Sequence, residues 1–339
     1  SNISAFHKAQ LPGKVECETT PGVKCVQKAV PINHVGLYIP GGRAPLFSTV
    51  LMLAIPAKIA GCSEIILCTP DNGDRGIAPE ILFAAKLCGV DKVFRIGGAQ
   101  AVAAMAFGTE SVPRVDKIFG PGNRYVTKAK QIVSRHTAID MPAGPSEVMV
   151  LADLSSNPTF VAADMLSQAE HGPDSQAIAV YSSKELAEKV AEEVERLADM
   201  LPRRDSIEGS LSHSRIITFP EREDMIDFAN EYASEHLILS IADPWEAAEK
   251  ITAAGSVFVG NYSPESVGDY ASGTNHTLPT SGWARSFSGV NIDSFMHKIT
   301  YQELTSEGLD LLSDVVVTMA HAEGLDAHAM AVKVRTSNL

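Results

Sequence analysis

The sequence predicts an α/β protein, with two successive domains built on mostly parallel sheets and a helical C-terminal tail. Three observations carry this. From His34 onward, short β-branched runs alternate with alanine-rich helical runs, which is the pattern of parallel strands covered by helices. The alternation occurs twice, and Met141-Pro142-Ala143-Gly144-Pro145 interrupts it between the two series. Of the 339 residues 45% are hydrophobic but only 6% are aromatic, so the core must be mostly aliphatic. A chain of this length accommodates two domains at roughly 100–200 residues each.

In chain order, residues 1–33 form an N-terminal segment without clear pattern. A first domain, 34–142, has strands predicted at 35–39, 64–69, 92–96 and 116–119, with helices at 47–60, 78–88, 99–107 and 123–135 between and after them. A second domain, 143–292, has strands predicted at 147–151, 177–181, 215–219, 237–240 and 256–260. Its helices are expected at 158–170, 184–200, 221–234 and 245–254, and a Gly/Ser/Thr/Pro-rich stretch follows at 261–289. The tail, 293–339, reads as helices broken at Gly324. Both domains are therefore expected to be Rossmann-like.

The formal net charge of −13 disfavours nucleic acid and anionic membranes as partners. The longest apolar run, residues 50–59, is too short to span a bilayer and carries Pro56 and Lys58. Five cysteines, Cys17, Cys25, Cys62, Cys68 and Cys88, form no CxxC pair. Their odd number argues against a disulfide framework and for a reducing cytoplasm.

Open parallel sheets bind ligands at the carboxyl ends of their strands. Three glycine-rich turns fall at such ends in the first domain: Pro40-Gly41-Gly42-Arg43, Gly97-Gly98-Ala99-Gln100 and Gly120-Pro121-Gly122-Asn123. Each leads into a helix N-terminus, where backbone N–H groups and the helix dipole favour a phosphate. None completes GxGxxG, and such turns also serve as plain strand–helix connections.

Other residues offer metal ligands. Asn157-Pro158 reads as a helix cap, and Gln168 and His171, three apart, share a face at that helix's end. Asp269 lies in a turn-like stretch. Gly324 ends one helix and Asp326 can cap the next, which places His328 in its first turn beside Glu323. Each residue taken alone also reads as a cap, turn or surface group. Together they make a dispersed, cysteine-free N/O set, which suits a catalytic rather than a structural metal, Zn²⁺ first. Glu235-His236 closes a predicted helix just before a strand. Histidine is the usual general base near neutral pH, and a neighbouring carboxylate and a helix C-terminus would both raise its pKa. A helix end with a favourable histidine reads equally well.

At this point a family resemblance enters. The stretches Ile139-Asp140-Met141-Pro142-Ala143-Gly144-Pro145-Ser146-Glu147 and Leu166-Ser167-Gln168-Ala169-Glu170-His171-Gly172-Pro173-Asp174 resemble those of bacterial histidinol dehydrogenases. So do Gly36-Leu37-Tyr38-Ile39-Pro40-Gly41-Gly42, Phe119-Gly120-Pro121-Gly122-Asn123, Ser234-Glu235-His236-Leu237 and Gly273-Thr274-Asn275-His276-Thr277-Leu278-Pro279-Thr280. The resemblance runs from Asn2 to about Arg335.

It implies oxidation of L-histidinol to L-histidine through L-histidinal, the last step of histidine biosynthesis, with two NAD⁺ and one Zn²⁺ per subunit. It implies Gln168, His171, Asp269 and His328 as zinc ligands and Glu235 and His236 as the catalytic pair. Substrate contacts fall on Ser146, Gln168, His171, His236, Asp269, Glu323 and His328, and NAD contacts on Tyr38, Gln100 and Asn123. It further implies a cytoplasmic homodimer in which the partner's tail completes the site. Family members carry a further N-terminal helical segment, and this chain begins inside that region. The expected division of labour has His236 as base in both oxidations and Glu235 as water activator in the second, with no cysteine adduct. The other readings are a zinc-dependent oxidation of a different amino alcohol, a zinc hydrolase using Glu235, and a non-catalytic ligand-binding relative.

Overall fold

The computed structural model describes residues 1–41, 45–71, 73 and 76–336, in two compact units. One unit joins Ser1–Gln10 to Ile32–Phe295, and the other joins Leu11–Pro31 to Met296–Leu339. Helix α1 (Asn2–Ala9) opens the first unit. The hairpin β1 (Val15–Thr20) and β2 (Val23–Pro31) belongs to the second.

The first unit continues with β3 (His34–Tyr38), α2 (Phe47–Ala60), β4 (Glu64–Thr69), α3 (Pro79–Leu87), β5 (Lys92–Arg95) and α4 (Gly98–Phe107). Then come β6 (Lys117–Phe119), α5 (Arg124–Val133) and the short β7 (Ala138–Ile139). The five strands form one parallel sheet in the order β5-β4-β3-β6-β7. Sequence chemistry explains the pieces. Helix α2 is apolar all round, and Val50 and Leu53 are fully buried. It ends on Gly61, whose left-handed φ of 92° closes the helix. Helix α5 is capped by Asn123, whose side chain accepts from the N–H groups of Tyr125 and Val126.

The same topology then repeats. The elements are β8 (Glu147–Ala152), α6 (Pro158–Ala169), β9 (Gln176–Tyr181), α7 (Lys184–Ala198), α8 (Arg204–Leu211), β10 (Arg215–Thr218), α9 (Arg222–Tyr232) and β11 (His236–Ser240). After them come α10 (Pro244–Ala248), β12 (Ser256–Val259) and α11 (Glu265–Tyr270). The second sheet is parallel in the order β10-β9-β8-β11-β12. Its central strands β8, β9 and β11 are buried on both faces: Val148 and Val150 pack with Met165 and Tyr181, while Met149 and Leu151 pack with Met225 and Leu237.

The second unit contains an antiparallel sheet, β1-β2-β13, in which β13 (Met296–Leu304) pairs along the whole of β2. Residues 296–304, read from sequence as helical, are thus strand. Helices α12 (Ser306–Ala322) and α13 (Asp326–Lys333) follow. Gly324 breaks them at φ 73°, as expected. The cap of α13 is Leu325, and Asp326 is the first helical residue. No helix among the described residues is long and apolar enough to cross a membrane.

Candidate active site

The first sheet's switch point, between β3 and β6, is where strand order reverses and a crevice opens at the carboxyl ends. Gly120 follows β6 at φ 120°, and a Cβ there would overlap the Tyr38 carbonyl oxygen. The buried ion pair of Lys130 and Asp140 holds this turn: Lys130 donates to the Gly120 carbonyl at 2.8 Å, and Asp140 accepts the Gly120 N–H at 2.7 Å. Gly98, at φ 68°, starts α4 and donates its N–H to the Tyr38 hydroxyl at 3.1 Å. Tyr38 therefore ends β3, Gln100 is exposed in the first turn of α4, and Asn123 caps α5. All three residues expected at NAD lie at the carboxyl end of this sheet. In the Pro40-Gly41-Gly42-Arg43 turn, Gly42 and Arg43 lie outside the described residues.

A cavity of about 130 Å³ runs from Pro40 and Pro121, at those carboxyl ends, to Ser146 and His236, at the amino ends of β8 and β11. The acid–base candidates are therefore at the opposite end of their sheet from the glycine turns. Glu235-His236 does not close a helix. Helix α9 stops at Tyr232, Ala233 turns left-handed, and His236 is the first residue of β11.

One neighbouring residue fixes both side chains. The Glu147 N–H donates to Glu235 Oε2 at 3.0 Å, and the Glu147 carbonyl lies 3.3 Å from His236 Nδ1. With Nδ1 carrying the proton, Nε2 of His236 is left buried and without a protein partner. The Glu147 carboxylate in turn accepts from the Ser281 N–H at 2.9 Å and the Tyr232 hydroxyl at 3.3 Å.

The expected rise in the His236 pKa is not found. Burial dominates and pushes the imidazole down to about 3, with the Glu147 carbonyl opposing and His171 and His276 adding to the fall. The helix end that would have raised it is absent, and the adjacent carboxyl is itself shifted toward neutrality. Burial holds Glu235 well above its usual range, nearby Glu147 and Asp269 push the same way, and the Glu147 N–H and Ser146 hydroxyl oppose. His236 is thus a neutral acceptor at ordinary pH.

The donor set beside this pair fits a divalent cation. His171, Glu265 and Asp269 bring ligand atoms within 4.8 Å of one another. Gln168 is completely buried, yet neither its Oε1 nor its Nε2 has a partner, a costly arrangement that a bound ion would relieve. Burial raises Asp269 to about 6, and a cation would reverse that direction. His171 and Asp269 line the cavity. Glu323, at the end of α12, and His328, in the first turn of α13, are exposed residues of the second unit and are not among the cavity's lining.

Three residues of the site carried no individual signal. Glu147 and His276 sit inside the family-like stretches as motif members. Glu265 lies four residues before Asp269, one turn up α11, in a segment read as Gly/Ser-rich loop. His276 lines the cavity with Nδ1 3.2 Å from the Asp269 carbonyl, and burial pushes it down to about 4. Among the described residues no cysteine lines the cavity, and burial raises Cys62 to about 11 and Cys68 to about 12.

Two parallel sheets of dinucleotide-binding topology, with a buried neutral imidazole and a partly buried N/O cluster between them, have the architecture of an α/β oxidoreductase. The family model for histidinol dehydrogenase matches residues 1–336. The chain belongs to the histidinol dehydrogenase family.

The histidinol dehydrogenase of Bacteroides fragilis (strain YCH46) is 59% identical over 339 residues, spanning 100% of this chain and 79% of the relative. That of Aliivibrio fischeri is 57% identical over 342 residues, spanning 100% and 77%. A crystal structure of histidinol dehydrogenase from Elizabethkingia anophelis superposes with TM-score 0.97 at 53% identity, covering 99% of this chain and 78% of that one. An NAD-dependent aldehyde dehydrogenase from Sinorhizobium meliloti shares the fold alone, with TM-score 0.59 at 13% identity over 89% and 72% of the two chains.

Proposed function

We infer that the protein oxidises L-histidinol through L-histidinal to L-histidine, with two NAD⁺ as hydride acceptors, as the closing step of histidine biosynthesis. The observation that carries this reading is the Glu147 clamp, which turns the unpartnered Nε2 of His236 into a general base beside Glu235 and the metal-ready cluster. Its chemistry suits a family whose match spans the chain.

Zinc would be held by Gln168, His171 and Asp269, with His328 of the second unit supplied by a partner copy, and it would orient the substrate nitrogens and act as a Lewis acid. NAD⁺ fits the carboxyl end of the first sheet, at Tyr38, Gln100 and Asn123. Ser146, Glu323 and the cluster residues place the amino alcohol. His236 Nε2 takes the hydroxyl proton as the carbon gives up hydride. In the second oxidation Glu235 helps activate water for attack on the aldehyde, and His236 accepts a proton from the hydrate. A cysteine adduct is disfavoured because no cysteine among the described residues lines the cavity.

A homodimer suits the second unit, where α12 exposes Leu311, Val315 and Met319 on one face and α13 exposes Met330 and Val334. The unpaired cysteines suit a cytoplasmic setting.

The test is stoichiometry. Two NADH should form per histidine, and activity should be lost on chelation and restored by zinc. One NADH per turnover with histidinal released, or full activity in chelator, would overturn the reading.

A further inference from the structure

Helix α2 carries a proline in its interior, and the consequence reaches the cleft. Pro56 has no N–H, so the Met52 carbonyl, four residues earlier, loses its helical donor. A buried carbonyl in that state is costly until another donor finds it. Here the donor is Asn275, 223 residues further along the chain, whose Nδ2 reaches the Met52 carbonyl at 2.6 Å.

The rest of this buried amide is committed too. Asn275 Oδ1 accepts the Thr277 N–H at 3.0 Å, and Nδ2 also lies 3.4 Å from Nε2 of His7, a fully buried residue of α1. His7 Nδ1 is 2.8 Å from the Ile3 carbonyl, so Nδ1 carries the ring proton and Nε2 accepts the second amide hydrogen. Burial pushes the His7 pKa down, which keeps that nitrogen unprotonated. One side chain thus ties together α1, α2 and the segment after α11. Asn2 pins the same segment, donating to the Ala271 carbonyl at 2.7 Å.

The tied segments carry two walls of the cavity. Ser48 and Thr49, in the turn of α2 before Met52, line it from the first sheet's side, and His276 and Thr277 line it near His236. Asn275 itself is not among the described residues that line it. We propose that Asn275 is a positioning residue for hydride transfer in the reaction inferred above. By stapling the 276–277 wall to α2, it sets the separation between the nucleotide held at the first sheet and the amino alcohol held at the second. Hydride transfer needs the reacting carbons about 3–3.5 Å apart, and a displacement of about 1 Å can cost about 100-fold. No proton or electron passes through Asn275.

The test is single-turnover stopped flow on the zinc-loaded protein at saturating NAD⁺, following NADH from histidinol and from histidinal. In Asn275→Ala the rate constant should fall about 10–100-fold in both oxidations, with KM for histidinol and NAD⁺ within about threefold and zinc content unchanged. A merely structural loss would shrink the amplitude and leave the rate constant as it is. Pro56→Ala breaks the staple from its other end: it gives the Met52 carbonyl a helical N–H that competes with Asn275, and it changes no cavity-lining side chain. It should slow the same step about 3–10-fold, and the double variant should be no slower than Asn275→Ala alone.

A wild-type rate constant in Asn275→Ala would overturn the proposal, as would a reduced amplitude at the wild-type rate constant or a fall accounted for by missing zinc. If Asn275→Ala does not fold, Pro56→Ala decides: a slowed step supports the staple, and a wild-type rate constant overturns it. If the wild type forms no NADH from histidinol, the inferred reaction fails and Asn275 has no hydride transfer to position. A competent wild type beside an Asn275→Ala of unchanged rate constant sinks only the role of Asn275.

Discussion

The sheets β5-β4-β3-β6-β7 and β10-β9-β8-β11-β12 share one topology, yet they face the cleft with opposite ends. In the first, the carboxyl end is kept open by glycine: Gly98 and Gly120 take left-handed φ values, and at Gly120 the Tyr38 backbone occupies the space that a side chain would fill. In the second, the corresponding crevice is filled by its own chain. Asp153 accepts the Ala242 N–H at 2.8 Å, Ser156 donates to the Ser240 carbonyl, Ser240 donates to Asn261, and Asn261 donates to the Ser155 carbonyl at 3.1 Å. The proposed acid–base pair sits instead at the amino end, where β8 and β11 begin. A repeated topology supplies two possible sites per sheet, and what closes one end decides which end works.

The largest effect is expected where the second sheet meets the cleft. His236→Asn should cut kcat of both oxidations by roughly 10²–10⁴, followed as NADH formation from histidinol and from histidinal separately. Glu235→Gln should hurt the histidinal step more, and equal losses in the two steps would sink the division of roles.

Next comes the first sheet. Gly120→Ala forces a Cβ onto the Tyr38 carbonyl at a left-handed φ and should cost about 3 kcal/mol, read as a lower urea midpoint at constant m. An unchanged midpoint would mean that the turn is not the constraint described. Zinc at about 100 times its Kd should then stabilise the protein by about 2.7 kcal/mol, with Gln168→Ala and Asp269→Asn abolishing the gain. A gain that survives both substitutions would place the ion elsewhere.

Asp153→Ala tests the plugged end. It should cost about 1–2 kcal/mol of stability and leave KM for NAD⁺ unchanged, whereas a raised KM would mean the second sheet's carboxyl end also handles the nucleotide.

The smallest effect is on pH. Because burial lowers His236 to about 3, its neutral form persists as pH falls from 7.5 to 5.5. The alcohol-oxidation kcat at saturating zinc should change less than about twofold over that range. A limb near the ordinary imidazole value of about 6.5 would show that burial does not govern the base.

Much of this architecture was legible in the sequence, because it is written in local pattern. Glu64–Thr69 is a run of aliphatic residues between turn signals, and Phe47–Ala60 is apolar at every turn, so strand and helix fell out with their observed bounds. Asn157-Pro158 and Gly324 mark helix ends by chemistry that acts within a few residues. Met296–Leu304 was misread because its MHKITYQEL stretch is short, polar and mostly exposed, and its strand conformation is imposed by pairing with β2 rather than by its own periodicity. Helix α11 was hidden in a glycine- and serine-rich stretch.

The site divides the same way. The family-like motifs named His236, Glu235, Gln168, His171 and Asp269, but nothing local says that Glu147, 88 residues before Glu235, clamps both members of the pair. That follows only from β8 and β11 lying side by side in register, with His236 opposite Val148. Sequence determined which residues could do chemistry, since side-chain type is local. Tertiary structure alone decided which sheet end is open, which nitrogen of His236 is free and which way its pKa moves, because burial and hydrogen-bond partners come from segments far apart in the chain.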